Sequence, residues 1–83
     1  MKKETQNVRV AKWLVTNGSI TTAQAMGILR ITRLAARVND IKKIYFIDID
    51  SELVKWGDSK QARYTVDEEE RAYLKYCLDG KQL

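Results

Sequence analysis

Histidine is absent from this 83-residue chain, and cysteine occurs once, at Cys77. The first absence removes the commonest general base and metal ligand; the second rules out an intrachain disulfide or a cysteine zinc cage. Hydrolytic triads and zinc chemistry are thereby excluded, and no cofactor or metal is expected. Long apolar runs are missing too. The longest nearly uncharged stretch, Trp13 to Leu29, is broken by Thr, Ser, Asn, Gln and Gly, so no membrane-spanning helix is expected. Met1-Lys2-Lys3 is basic, but Glu4-Thr5-Gln6-Asn7 stands where a secretory signal would need its apolar segment, which points to the cytoplasm. Low-complexity runs are also lacking. A composition of 45% hydrophobic and 31% charged residues describes one small domain with a modest core. Such a domain without histidine offers no convergent base and nucleophile, so an enzyme is not expected.

What is present is uneven charge. Residues 1 to 66 carry 12 Lys or Arg against 6 Asp or Glu, a net of +6, while residues 67 to 83 carry 3 against 5, a net of −2. Within the basic part, Arg30, Arg33, Arg37, Lys42 and Lys43 face a single acid, Asp40, between residues 30 and 43. A local excess of this kind favours a polyanionic partner.

Periodicity then divides the chain. Val8, Ala11, Leu14 and Val15 share a helical face, with Val10 and Trp13 at its edges, and Asn17-Gly18 is a left-handed stop; a first helix is expected from Gln6 to Asn17. Trp13 reads as a half-buried core flank rather than a stacking platform. Thr21 and Gln24 form a capping box, so a short extended contact at Ser19-Ile20 should precede a second helix starting near Thr22. Gly27 to Ile31 reads as the turn toward a third helix, Arg33 to Lys43, with Thr32 as its N-cap. Leu34, Val38 and Ile41 are its core stripe, and Arg33, Ala36, Asn39, Asp40 and Lys43 lie opposite. Arg37, nearer the core edge, either bridges to Asp40 or touches a ligand; the sequence leaves both open.

From Ile44 the period shortens to two. Ile47, Ile49, Ser51 and Leu53 alternate with Asp48, Asp50, Glu52 and Val54, and after Trp56-Gly57-Asp58-Ser59 a second strand runs from Gln61 to Val66. If Lys55 faces Lys60 in this hairpin, Glu52 faces Arg63. The acids Asp48, Asp50 and Glu52 read as a solvated strand face rather than a metal site. Asp67 caps a last helix whose first turn is Glu68-Glu69-Glu70 and whose stop is Gly80. Its apolar residues, Ala72, Tyr73, Leu74, Tyr76, Cys77 and Leu78, sweep more of the helix than one core needs. Leu74 and Leu78 are therefore expected to form a dimer contact, with packing back over the first helix as the opposing arrangement.

Ser19-Ile20-Thr21-Thr22-Ala23-Gln24-Ala25, then Ile31-Thr32-Arg33-Leu34-Ala35-Ala36-Arg37-Val38-Asn39-Asp40-Ile41-Lys42, and Tyr64-Thr65-Val66 closing the hairpin, resemble the small winged helix-turn-helix DNA-binding family common in phages and prophages. The resemblance spans about Gln6 to Val66. It implies an α+β fold: a winged helix-turn-helix of three helices and a two-stranded wing in residues 1 to 66, to which residues 67 to 83 add a C-terminal helix. Where family members often have a glycine shortly after the recognition helix, Lys43-Ile44-Tyr45-Phe46 has none, so the wing should leave at a different angle.

The residue chemistry points the same way. A recognition helix enters the major groove with its first turns near base edges, which makes Arg33 the base reader, Ala36 a close-approach residue able to touch a thymine methyl, and Asn39 an adenine reader. Arg30, Lys42, Lys43, Lys55, Lys60 and Arg63 are assigned to phosphates, and Thr32 and Arg37 complete the set. The expected function is double-stranded DNA binding by a transcriptional regulator or recombination accessory factor. The alternative is a protein-interaction module acting on a host protein, suggested by the acidic hairpin face and the excess apolar area of the last helix.

Overall fold

The computed structural model describes residues 5–79; the expected stop at Gly80 lies outside them. Helix α1 spans Gln6–Asn17, with Thr5 Oγ1 accepting the Val8 N–H at its start and Gly18, at φ 85°, ending it in the left-handed region. Its buried residues are Val10, Ala11 and Leu14. The stripe is therefore centred nearer Val10 than the spacing suggested, because α1 is covered on two flanks. On one flank Trp13 is half-buried and donates its Nε1 proton to the Ser19 carbonyl at 2.9 Å. On the other, half-buried Val15 faces the last helix.

Strand β1, Ser19–Thr21, leads through the expected capping box into helix α2, Thr22–Gln24: the Gln24 N–H donates to Thr21 Oγ1 at 3.1 Å and the Thr21 N–H to Gln24 Oε1 at 3.0 Å. The chain does not turn at Gly27. It widens into a π turn, Ala25–Leu29, and leaves it at Arg30, in the left-handed region at φ 61°. The Ala25 carbonyl accepts both the Arg30 and the Ile31 N–H. Helix α3 spans Leu34–Tyr45, and its N-cap is Arg33, not Thr32. Ile31 and Leu34 are both buried, so the helix begins where the chain re-enters the core, and tertiary burial overrides the capping preference of threonine. Leu34, Val38 and Ile41 are the buried stripe, as spaced. In place of glycine, Phe46 closes α3 at φ 57°.

Strands β2, Asp50–Trp56, and β3, Ser59–Thr65, form the hairpin, and β1 joins its free edge to give an antiparallel sheet in the order β1-β3-β2. Lys55 pairs with Lys60 and Glu52 with Arg63, the register expected. The two-residue turn has its positive φ at Gly57, the position a type II′ turn reserves for glycine. Two details differ from the alternation read in the sequence. Ile47 and Ile49 are buried but precede β2, because after Thr65 the partner chain leaves the ladder: the Val66 N–H donates to the Gly18 carbonyl, and the Asp48 N–H donates to a Glu70 carboxylate oxygen. Leu53, expected on the dry face, is 70% exposed because the hairpin projects beyond the core.

Helix α4, Glu68–Asp79, is capped by Asp67, whose Oδ1 accepts the Glu70 N–H at 2.9 Å. It packs on α1. Leu74 is fully buried and Leu78 packs at the core margin beside Val15 and Thr16. The pair expected to meet a second copy is therefore used within one chain, and Tyr73 and Tyr76 are the aromatics that α4 exposes instead. Burial of this kind predicts that Leu74→Ala lowers unfolding free energy by about 2–5 kcal/mol, measured as a shift in urea midpoint; a loss below about 1 kcal/mol would mean that α4 is not part of the core.

Candidate nucleic-acid interface

Burial of Ile31 and Leu34 holds Thr32 and Arg33 between two anchors, and both are exposed. The Arg33 carbonyl accepts the Arg37 N–H at 3.2 Å, and its side chain makes no capping bond. An open groove of about 390 Å³ follows, lined by Thr22, Thr32, Arg33, Ala35, Ala36 and Tyr64. The small side chains of Ala35 and Ala36 keep this end of α3 open to a close approach.

Strand parity decides which side of the hairpin belongs to this groove. Successive strand residues point to opposite faces, so Lys55 and Lys60 share a face with Leu53, Ala62, Ser51 and Tyr64. Because Tyr64 lines the groove, the paired lysines stand on its side of the wing. Arg63 has the opposite parity. Its Nη2 and Nε donate to Glu52 Oε2 at 2.6 and 3.1 Å, so the structure ties Arg63 to an acid on the far face and does not bring it to the groove.

The remaining site residues spread along α3. Asn39 and Lys43 are exposed, and Ala36 and Lys42 are half-buried. Arg37 pairs with Asp40, Nη2 to Oδ2 at 3.2 Å, while its buried Nε has no hydrogen-bond partner; of the two readings open in the sequence, the bridge is the one formed. Arg30, Arg33, Lys43, Lys55 and Lys60 make no ion pair among the described residues.

Two contributors escaped sequence reasoning. Tyr64 was read only as the aromatic closing the wing, and its place opposite Arg33 depends on contacts across more than thirty residues. Gln61 accepts the Ala23 N–H through Oε1 at 2.8 Å, and the Thr22 hydroxyl reaches the Ala62 carbonyl at 3.5 Å. These bonds lock the wing to the start of α2. The one available signal was the capping box, which leaves the first N–H groups of α2 in need of outside acceptors.

Two tyrosines outside the groove have shifted ionisations. Burial, then the neighbouring Cys77, raises the pKa of Tyr45 above the usual tyrosine value, and a hydrogen bond with Cys77 is the main cause raising that of Tyr73. Both phenols are neutral at physiological pH.

This arrangement of helices with a hairpin wing agrees with the family comparison. The chain belongs to the winged helix-turn-helix domain family, whose model matches residues 5–46. The match ends where α3 ends, so the wing and α4 are defined by the structure alone. No curated protein and no solved structure matches the chain significantly. Family membership supports a DNA-binding role, and no helix among the described residues is long and apolar enough to cross a membrane.

Arg30 occupies a conformation that side chains other than glycine adopt at a cost of roughly 1–2 kcal/mol. Arg30→Gly is therefore expected to raise stability by about 0.5–1 kcal/mol after the extra backbone entropy of glycine is offset, and to weaken DNA binding if the guanidinium meets a phosphate. Urea unfolding and a DNA titration of the same variant separate the two effects.

Proposed function

We propose that this domain binds double-stranded DNA with the N-terminal end of α3 in the major groove and the Lys55–Lys60 face of the wing along the adjoining backbone. The observation that carries the reading is the shared groove: Arg33 and Ala36 from α3 and Tyr64 from β3 line one surface, and the unpaired lysines stand on the Tyr64 side. Arg33 reads a base edge, Ala36 admits the bases closely, and Asn39 contacts bases further along α3. Arg30, Lys42, Lys43, Lys55 and Lys60 hold phosphates, with Thr32 donating its hydroxyl beside them. The biological role we infer is that of a phage or prophage transcriptional regulator, or a recombination accessory factor, working in the host cytoplasm.

A second reading, a module that docks on a host protein, is favoured by one feature: α4 turns Tyr73 and Tyr76 outward, the latter 71% exposed. Salt separates the two. Duplex binding that rests on phosphates weakens steeply as salt rises.

For a site selected from random duplexes, Arg33→Ala should cost about 1–3 kcal/mol of specific affinity and leave folding intact. Parent-like affinity would remove α3 from the interface. Replacing Lys55 and Lys60 together by Ala should weaken binding to every sequence alike and flatten the dependence of log affinity on log salt by roughly two units or less. An unchanged slope would place the wing away from the nucleic acid.

A further inference from the structure

A second groove lies at the wing tip, where Trp56, Lys60 and Gln61 of the hairpin meet Thr22, Ala23, Met26 and Gly27. Three features make it unlike ordinary surface. The π turn, a conformation found mostly as short insertions and frequently at functional sites, carries Met26 outward to 50% exposure. Gly27 has nothing within 4 Å of where a Cβ would stand, so the floor is open. Trp56, 56% exposed, supplies a large aromatic surface at the other side. At about 520 Å³ the groove falls in the roughly 300–1,000 Å³ range of small-ligand sites.

Charge and position select the occupant. Lys55 and Lys60 stand directly opposite each other in the ladder, a like-charge pairing that is unfavourable without an anion nearby, and with Asp58 in the turn the tip still carries a net positive charge. Thr22 lines both this groove and the one beside Arg33 and Ala36. The two grooves adjoin at Thr22, the second lying at the edge of β3 where Lys60, with the parity of Tyr64, and Gln61, with that of Arg63, both reach it. A ligand that is flat, stacks on an indole, carries a phosphate and continues from a duplex on α3 is a nucleotide out of its pair.

We propose that the wing-tip groove binds an unpaired nucleobase of DNA, stacked between Trp56 and Met26 with its phosphate at Lys60, next to the duplex on α3; the proposal rests on the DNA-binding reading above. Gln61 offers its amide N–H groups to the base edge, since its Oε1 already accepts from Ala23. The groove would direct the protein to duplex ends, bulges or transiently opened steps.

The test compares a fully paired duplex of the selected site with the same duplex carrying one unpaired 2-aminopurine at either flank, by anisotropy titration and by 2-aminopurine fluorescence. The parent should bind the unpaired form roughly 5- to 150-fold more tightly, the range that stacking of one base on an aromatic side chain gives, and quench the probe. Trp56→Ala and Gly27→Leu should abolish the difference while binding the paired duplex within about twofold of the parent, and Trp56→Phe should retain most of it. Arg33→Ala should weaken both duplexes equally. Equal parental affinity for the two duplexes, or a preference that survives Trp56→Ala, would overturn the wing-tip site alone. Failure to bind either duplex would overturn the DNA-binding reading and this site with it.

Discussion

The junction at Gly18 is the constraint on which the other elements depend. Four segments meet there: Gly18 ends α1 in the left-handed region, its carbonyl accepts the Val66 N–H at the end of β3, and Arg71 of α4 donates from Nε and Nη2 to the Val15 carbonyl and from Nη2 to that of Thr16. The last carbonyls of a helix have no partner within it. Here those of Val15 and Thr16 are satisfied by a cation from a helix more than fifty residues later. The position needs glycine for its backbone angle, and a Cβ on Gly18 would crowd the Arg71 guanidinium, 3.3 Å from Nη1. Because β1 leaves directly from this point, the junction also sets where β1 lies against β3, and through β3 where the wing stands relative to α3.

That chain of placement explains why the two strand faces differ in chemistry. With Lys55 opposite Lys60, period-two alternation puts Tyr64 and both lysines on the side of Arg33, and puts Arg63 with its partner Glu52 on the other. A slip of one residue would exchange the faces and point an ion pair, rather than unpaired cations, toward α3. The register is held near the tip by the Gly57 turn and by the bonds from Ala23 and Thr22 to Gln61 and Ala62, and at the base by the pairing of β1 with β3 from Arg63 to Thr65. The wing is thus oriented by α2 rather than by its own contacts with the core, which it leaves behind at Leu53.

What could be read in advance was local. The limits of α1, the Thr21–Gln24 capping box and the Glu52–Arg63 register each follow from residues within a turn or directly across a tight hairpin, where short-range chemistry decides. The misread features depend on distant partners. Thr32 has the better capping side chain, yet Arg33 takes the N-cap because Ile31 and Leu34 must both reach the core. Gly27 looks like a breaker, yet the helix passes through it as a π turn and stops at Arg30, which no propensity would choose. The apolar sweep of α4 looks wider than one core needs, yet Leu74 and Leu78 both pack against the core of the same chain. Tyr64 has the same residue type and strand parity whether it faces a groove or solvent, and only the folded chain distinguishes the two.

The cover that α4 supplies also bears on why so small a domain carries its strain where it does. The core is a single layer of buried residues, among them Val10, Leu14, Ile20, Ile31, Ile41 and Leu74, and a chain of this size has little stability to spare. Even so, among the described residues two other than glycine hold left-handed conformations, Arg30 before α3 and Phe46 after it, the latter 87% exposed. Glycine at either place would relieve the backbone at no loss of buried surface. Backbone strain of this kind clusters at functional sites. Both positions bracket α3, so the cost falls on the helix whose placement the rest of the structure serves.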